Sequence, residues 1–457
     1  MPYLIAVAYI LLFAYLDKYP YDQGSLNDQG LFQRVAMNVI DSGKFSGSTN
    51  ATKVFCPTRP PLYPLIMAFT WKITNSRSLV YIRSIQAICY LLSIFFIFRI
   101  STILADGDTQ YGILASLFAS LIPHTAAVTH VILAESLGIF LLILAVWIMV
   151  RQKDEFRPFL LMLLGLILGL LTLQRPNFLY IPFFFAGYLI CSLKYKTLKN
   201  IFACCVLIAL PFTMVLLPWG LYKQAEKTYS YSPAYGIGFD LMAGILEASP
   251  SQYNAFFPVP EEKNASVDSK PLYGEMEEVF HSQHELLSPS TGYFTPRMEK
   301  LVAFSLRSYC GAWSLDPVPP ETVIRTDRFL TKTVLTWIRA HPVKFLAVIL
   351  NNAKNLIFGD YHPLIYQPFS GTLSQLVSIS RLLLYLSFAA GILFALRSRR
   401  VRLAFVPLLI VLYLIALHSL MHADPRYFVY SYMLMAVAIP SVIRRAPEGK
   451  RKEEAAL

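Results

Sequence analysis

One acid and three arginines, Asp28, Arg59, Arg175 and Arg426, stand in polar breaks between long apolar stretches. A guanidinium offers five donors in a rigid planar fork, a geometry that grips phosphate oxygens two at a time. Arg59 lies in "PTRPPLYP" (57–64), beside Tyr63, where the prolines stiffen the backbone that carries it. The plainer reading is a rigid loop with an interfacial arginine. Asp28 heads a run in which Leu31, Phe32, Val35, Ala36, Val39 and Ile40 recur at helical spacing, with Gln33, Arg34, Asn38 and Asp41 on the other side. That position suits a helix N-cap, whose side-chain oxygen takes up a free backbone N–H.

Glu135 is set in the apolar run 125–150, five residues after His130. An ionisable residue in such a run either serves function or is paired with a neighbouring helix. If 125–150 is one helix, Glu135 lies about 15 Å beyond Thr125 along it, out of reach of bulk water. Arg175 falls in "QRPN" (174–177), and His422, Asp424 and Arg426 in "HADPRY" (422–427), where Arg426 could simply pair with Asp424 in a tight turn. "DGD" (106–108) has the form of a metal-binding DxD motif, but its short loop reads as a turn. No CxxC or His/Cys cluster suggests zinc.

The elements that must hold these residues are membrane helices. Of 457 residues, 55% are hydrophobic and 15% charged, where soluble domains carry about a quarter charged. Mean hydropathy is +0.49. Ten spans are predicted, at 2–16, 79–100, 111–122, 125–150, 158–173, 177–192, 201–218, 374–396, 402–421 and 427–443. Residues 59–73 read as an interfacial or re-entrant helix. Trp337 to Phe358 reads as an amphipathic helix lying on the membrane, with His341, Lys344, Asn351, Asn352 and Asn355 on one face.

The chain thus divides into a transmembrane core (1–218) with an outer first loop (18–78), an outer insertion (219–336), an interfacial helix and loop (337–373), and C-terminal spans with a basic tail (374–457). The net charge of +12 has no polar domain to concentrate it, which argues against nucleic-acid binding. The basic clusters at 151–157, 194–199, 397–402 and 444–452 instead mark cytoplasmic loops. Both termini then lie inside, while the first loop, QRPN, the insertion and HADPRY all lie outside. The N-terminus lacks a basic n-region and a cleavage site, so it reads as a retained first helix. Cys89, Cys191, Cys204 and Cys205 read as small core residues, and Cys56 and Cys310 fall in outer loops where they could pair.

The order of these segments resembles the integral-membrane glycosyltransferases of the GT-C fold, in particular the protein O-mannosyltransferase and lipid A aminoarabinose transferase family. The likeness rests on Asp28 soon after the first span, the amphipathic "FQRVAMNVIDSG", and "TRPPLYP", "LAESLGIFLLILA", "LTLQRPNFL", "LPWGLY", "RAHPVKFL" and "DPRYFVY". Residues 223–335 share almost none of it.

The resemblance implies an all-α polytopic bundle of about ten helices with extracytoplasmic jaw helices and a small extracytoplasmic insertion. It implies a sugar donor carried on a polyprenyl phosphate, an extracytoplasmic glycan, lipid or protein acceptor, and transfer with inversion. The expected setting is the inner (plasma) membrane of a bacterium.

On this likeness Asp28 is the general base. Arg59, Arg175 and Arg426 hold the donor phosphate, and Tyr63, Glu135, His422 and Asp424 line the substrate pocket. Many relatives carry two adjacent acids in the first loop, where this chain has Asp28-Gln29. No cofactor is expected; a divalent metal is possible, though this single acid gives no reason for one. Rival readings are a flippase or transporter of lipid-linked sugars, an O-antigen polymerase or ligase type of enzyme, and a GT-C-like scaffold without chemistry.

Overall fold

The computed structural model describes residues 1–16, 28–47, 59–152, 156–192, 197–226, 237–247, 320–358, 401–420 and 428–443, with isolated helical positions at 302 and between 379 and 389. Among them every regular element is a helix. The first is α1 (Pro2–Leu16), followed by the jaw pair α2 (Asp28–Ser42) and α3 (Leu62–Thr74). Next come α4 (Leu79–Leu104), α5 (Thr109–Ser120), the short α6 (Pro123–Ala127), α7 (Glu135–Arg151) and α8 (Pro158–Gln174). A 3-10 turn (Pro176–Phe178) leads to α9 (Ile181–Ser192), α10 (Leu198–Ala225) and α11 (Ile237–Glu247). The last four are α12 (Pro320–Ala340), α13 (Pro342–Phe358), α14 (Val401–Leu420) and α15 (Val429–Ile443). The span expected at 374–396, the sequence pair Cys56 and Cys310, and most of the insertion lie outside the described residues.

The protein is an integral membrane protein. Among the described residues α4 and α10 are each long and apolar enough to cross a bilayer, with 26 and 28 residues. At about 1.5 Å per residue they reach roughly 40 Å, against a hydrocarbon core of about 30 Å. Pro2–Leu12, Pro158–Gln174 and Leu408–Leu420 are shorter apolar helices. α10 does not stop at Pro218 as the sequence suggested, but runs through Pro211 and Pro218 to Ala225. Proline is tolerated inside membrane helices because neighbours resatisfy the freed carbonyls.

Two expected helices are broken. Residues 125–150 are not one span: α6 ends at Ala127, residues 128–134 are non-helical, and α7 begins at Glu135. Competing hydrogen bonds explain the break. The hydroxyls of Thr125 and Thr129 donate back to Ile122 O (2.8 Å) and Ala126 O (2.7 Å). The carbonyls of Val128, Thr129 and Val131 accept from the amide of Gln86, which approaches from α4. The second break falls at His341, so Trp337 to Phe358 is not one amphipathic helix. Pro342, which has no N–H to continue α12, opens α13 after a 112° bend.

Close backbone approach joins the bundle. Gly165 and Gly169 of α8 face α10, where a Cβ would fall 2.2 Å from Ile208 O and 2.8 Å from Val215 Cβ. Small residues one turn apart let membrane helices touch backbone to backbone. The antiparallel hairpins then sort the loops. The starts of α4, α7 and α15 and the ends of α8 and α10 gather at one end of the bundle. The α4–α5 and α7–α8 turns lie at the other. At that far end Gln152 closes the α7–α8 turn, donating to Arg157 O (2.6 Å) and accepting from Arg157 N (2.9 Å).

Candidate active site

The site is built on the non-helical stretch 128–134. Gln86, the one side-chain amide in α4, is 1% exposed and acts as its hub. Its Nε2 has two protons for the three carbonyls of Val128 (3.0 Å), Thr129 (3.0 Å) and Val131 (2.8 Å), while its Oε1 accepts from the Tyr63 hydroxyl. Ser136 donates to the same Val128 carbonyl (3.0 Å), and Gln174, at the end of α8, to Ala134 O (2.6 Å). A loop whose polar backbone would be costly to bury is thus satisfied by side chains from α4, α7 and α8.

The jaw helix is tied to this stretch. α2 begins at Asp28, and the adjoining Gln29 accepts through Oε1 from Ile132 N (3.2 Å). Phe32, one turn on, holds Tyr63 edge-on at 5.2 Å and the Arg59 guanidinium at 5.8 Å. The sequence set Gln33, Arg34 and Asn38 on a polar face, but all three are buried with the apolar residues. Asn38 and Arg34 donate to Ser46 O (2.7 Å) and Gly47 O (3.4 Å), folding the following loop back on α2. Phe45 of that loop packs on Trp219 (4.8 Å) and its N–H donates to the Tyr222 hydroxyl (3.2 Å). So α2 is wedged between the bundle and the end of α10.

Glu135 opens α7 directly after the loop and pairs through Oε1 with Arg175, which follows the end of α8. Its Oε2 is buried without a hydrogen-bond partner among the described residues. Glu135 is therefore a helix-start residue at the end of the bundle, not one sunk midway along a span. Tyr430, at the start of α15, lies so close to Gly138, one turn after Glu135, that a Cβ there would be 2.6 Å from its hydroxyl. Burial pushes the Tyr63 phenol well above its ordinary value, with the Glu135 charge adding to that and the Arg83 charge opposing it. Tyr63 therefore remains a hydroxyl donor at physiological pH.

Of the expected site residues, the structure brings Arg59, Tyr63, Glu135 and Arg175 to one end of the bundle, next to the start of α2 at Asp28. His422, Asp424 and Arg426 lie outside the described residues. Sequence reasoning missed Gln29, Gln86, Gln174 and Arg83; a lone amide inside the apolar α4 was the available signal for Gln86. The DGD segment is a turn, as expected. Asp106 and Gly107 take left-handed φ of 53° and 97°, and Asp108 caps α5 by accepting from Gln110 N (2.9 Å). Among the described residues no three His, Cys, Asp or Glu side chains group to hold a metal ion. Cys89 and Cys204 are buried as expected, whereas Cys205 is exposed on α10.

The model of the dolichyl-phosphate-mannose-protein mannosyltransferase family matches residues 58–219. That stretch contains Arg59, Tyr63, Gln86, Glu135 and Arg175, but neither Asp28 nor Arg426. In structure, the whole chain superposes on the archaeal oligosaccharyltransferase AglB from Archaeoglobus fulgidus, in complex with an inhibitory peptide and a dolichol-phosphate, with a TM-score of 0.50 and 13% identity. The fold is GT-C. This GT-C chain spans about half of AglB, covering 52% of its length. It is also similar to ArnT from Cupriavidus metallidurans bound to undecaprenyl phosphate, at 11% identity and a TM-score of 0.41, over 94% of this chain and 76% of that one. Among curated proteins none matches the GT-C chain in sequence.

Proposed function

We propose that the protein is a membrane glycosyltransferase that moves a sugar from a polyprenyl-phosphate donor to an extracytoplasmic glycan, lipid or protein. Asp28 is the general base. It takes the proton of the acceptor hydroxyl as that oxygen attacks the anomeric carbon. The bond from that carbon to the phosphate oxygen breaks on the opposite face, which inverts the configuration. The phosphate departs with its negative charge and needs cations, not an acid. Arg59, Arg175 and Arg426 supply them, so no divalent metal is required. Tyr63, His422 and Asp424 line the pocket, and Glu135 Oε2 is a buried acceptor suited to a sugar hydroxyl.

One observation carries this reading. Gln29, next to Asp28, is bonded to the loop that runs into Glu135, and Glu135 fixes Arg175. A base and a phosphate-binding cation from distant parts of the chain are thereby coupled through a single loop. The membrane arrangement proposed with it has ten crossings, both termini cytoplasmic, and the site outside.

The test uses purified protein with a polyprenyl-phosphate sugar and an acceptor glycan. Asp28→Asn should lower transfer about 10²–10⁴-fold, the range for losing an acid–base group. Asparagine still caps a helix, so a purely structural Asp28 predicts little change. Near-normal transfer by a folded Asp28→Asn protein would end the proposal. EDTA should leave the wild-type rate unchanged.

A further inference from the structure

Beyond the site, α12 has a charge pattern that the proposed chemistry does not use. Arg325, Arg328, Lys332 and Arg339 are all exposed, and their spacing of three, four and seven residues sets them on one stripe. The opposite face, with Leu330, Val334 and Trp337, is buried where α12 packs on α11. The acid within this stretch, Asp327, is turned away from the stripe. It accepts from Gly238 N (2.8 Å) and Phe239 N (3.2 Å) at the start of α11. Over about 21 Å of helix the exposed charges are thus all of one sign.

The neighbouring helix fixes where this stripe lies. α13 leaves α12 at a 112° bend and exposes Val343, Leu346 and Leu350 over its first half, with Lys344 beside them and Lys354 one turn after Leu350. It is held against the apolar α14 by Asn352, which donates to Ser419 O (3.2 Å) and to Gly244 O (2.8 Å) of α11. A bundle helix with an outward apolar face belongs at lipid depth, so an arm leaving it close to a right angle runs near the membrane plane. α11 and α12 follow the end of α10, at the same end of the bundle as the candidate site.

We propose that α12 lies on the outer leaflet and binds anionic phospholipid headgroups through Arg325, Arg328, Lys332 and Arg339. Charge complementarity, at a depth set by α13, supplies the attraction. It does not rest on the glycosyltransferase reading, and Asp28→Asn should leave it unchanged.

Full-length protein in detergent is titrated with phosphatidylglycerol or phosphatidylcholine, and bound lipid is counted by native mass spectrometry. Wild type should prefer the anionic lipid. Each cation replaced by glutamine should cost about fivefold of that preference, equivalent to about 1 kcal/mol per residue at a charged surface. The quadruple variant R325Q/R328Q/K332Q/R339Q should retain almost none. The pairs R325Q/R328Q and K332Q/R339Q should each lose about half of the logarithmic preference, which keeps the test decisive if the quadruple variant unfolds. Salt at 0.5 M, a concentration with a Debye length of only about 4 Å, should erode the wild-type preference. Equal binding of the two lipids, or an unchanged preference in folded variants, overturns the proposal. So does displacement by millimolar inorganic phosphate, which would mark a small-anion site. Saturation by one undecaprenyl phosphate without competition from phosphatidylglycerol would mark a donor groove instead.

Discussion

Arg175 pairs with Glu135 across the junction of α8 and α7, with the carboxylate side chain 0% exposed and the guanidinium side chain 15% exposed. The buried partner orients and the more open one reaches outward. Each of the two residues has a plain reading alone, a cation in a loop and an acid in an apolar run. Together they form one unit in which Glu135 positions the cation proposed to meet the donor phosphate.

That unit predicts a rescue. Arg175→Met strands a buried carboxylate and should cost about 3–5 kcal/mol, the range for breaking a buried pair from one side. Adding Glu135→Gln removes the stranded charge, so the double variant should recover most of that loss. Chemical unfolding of the purified protein in detergent gives both values. Simple addition of the two single effects would show that the pair is not coupled.

The hub at Gln86 predicts a different response. Gln86→Leu keeps the bulk but takes the donor from Thr129 O and the acceptor from the Tyr63 hydroxyl, while Val128 O keeps Ser136 and Val131 O keeps Leu133 N. At about 1–3 kcal/mol for each buried polar group left unsatisfied, the loss should exceed that of Tyr63→Phe, which removes one hydroxyl. Amide hydrogen exchange should locate the loosening in 128–134 and at the start of α7. Equal effects of the two substitutions, or protection unchanged over 128–134, would remove the hub role.

How much of this was legible in the sequence depends on what each residue bonds to. Apolar runs marked α1, α4, α8 and α9 well, because burial in lipid and in the bundle both demand apolar side chains. The same uniformity hid the break at 128–134. A run from Thr125 to Val150 looks continuous until Gln86, some forty residues earlier in the chain, takes its carbonyls. Asp28, Arg59 and Arg175 were legible as charges in polar breaks. The bond from Gln29 to Ile132 was not, since a residue pair with |i−j| of 103 leaves no local pattern. The proline at 342 was in plain view, but the polar face read across it suggested a continuous helix.

Helix contact at α8 predicts a contrast between two glycines. Gly165→Ala would put a methyl 2.2 Å from Ile208 O, so α8 and α10 would have to separate; Gly187 of α9 meets nothing within 4 Å. Gly165→Ala should therefore lower the thermal midpoint clearly, by the equivalent of about 1–3 kcal/mol for overpacking. Gly187→Ala should hold or raise it, by up to about 1 kcal/mol from helix propensity. The reverse order would show that the close approach of α8 to α10 is not a stability determinant.

Orientation in the membrane follows from opposite ends of the same bundle. Lys199, exposed in the first turn of α10, lies at the end that carries the Arg151 and Arg157 turn. Leu335, exposed on α12, lies beyond the other end of α10, with the candidate site. Basic loops are retained in the cytoplasm, so Lys199 should face inward and Leu335 outward. In a background with the six native cysteines replaced, Leu335→Cys should react with a membrane-impermeant maleimide in intact cells. Lys199→Cys should react only after lysis. The opposite pattern would turn the bundle over and set the proposed chemistry in the cytoplasm. Labelling of both sites from outside would instead mean that α10 does not cross, and the count of ten crossings with both termini inside would fall with it.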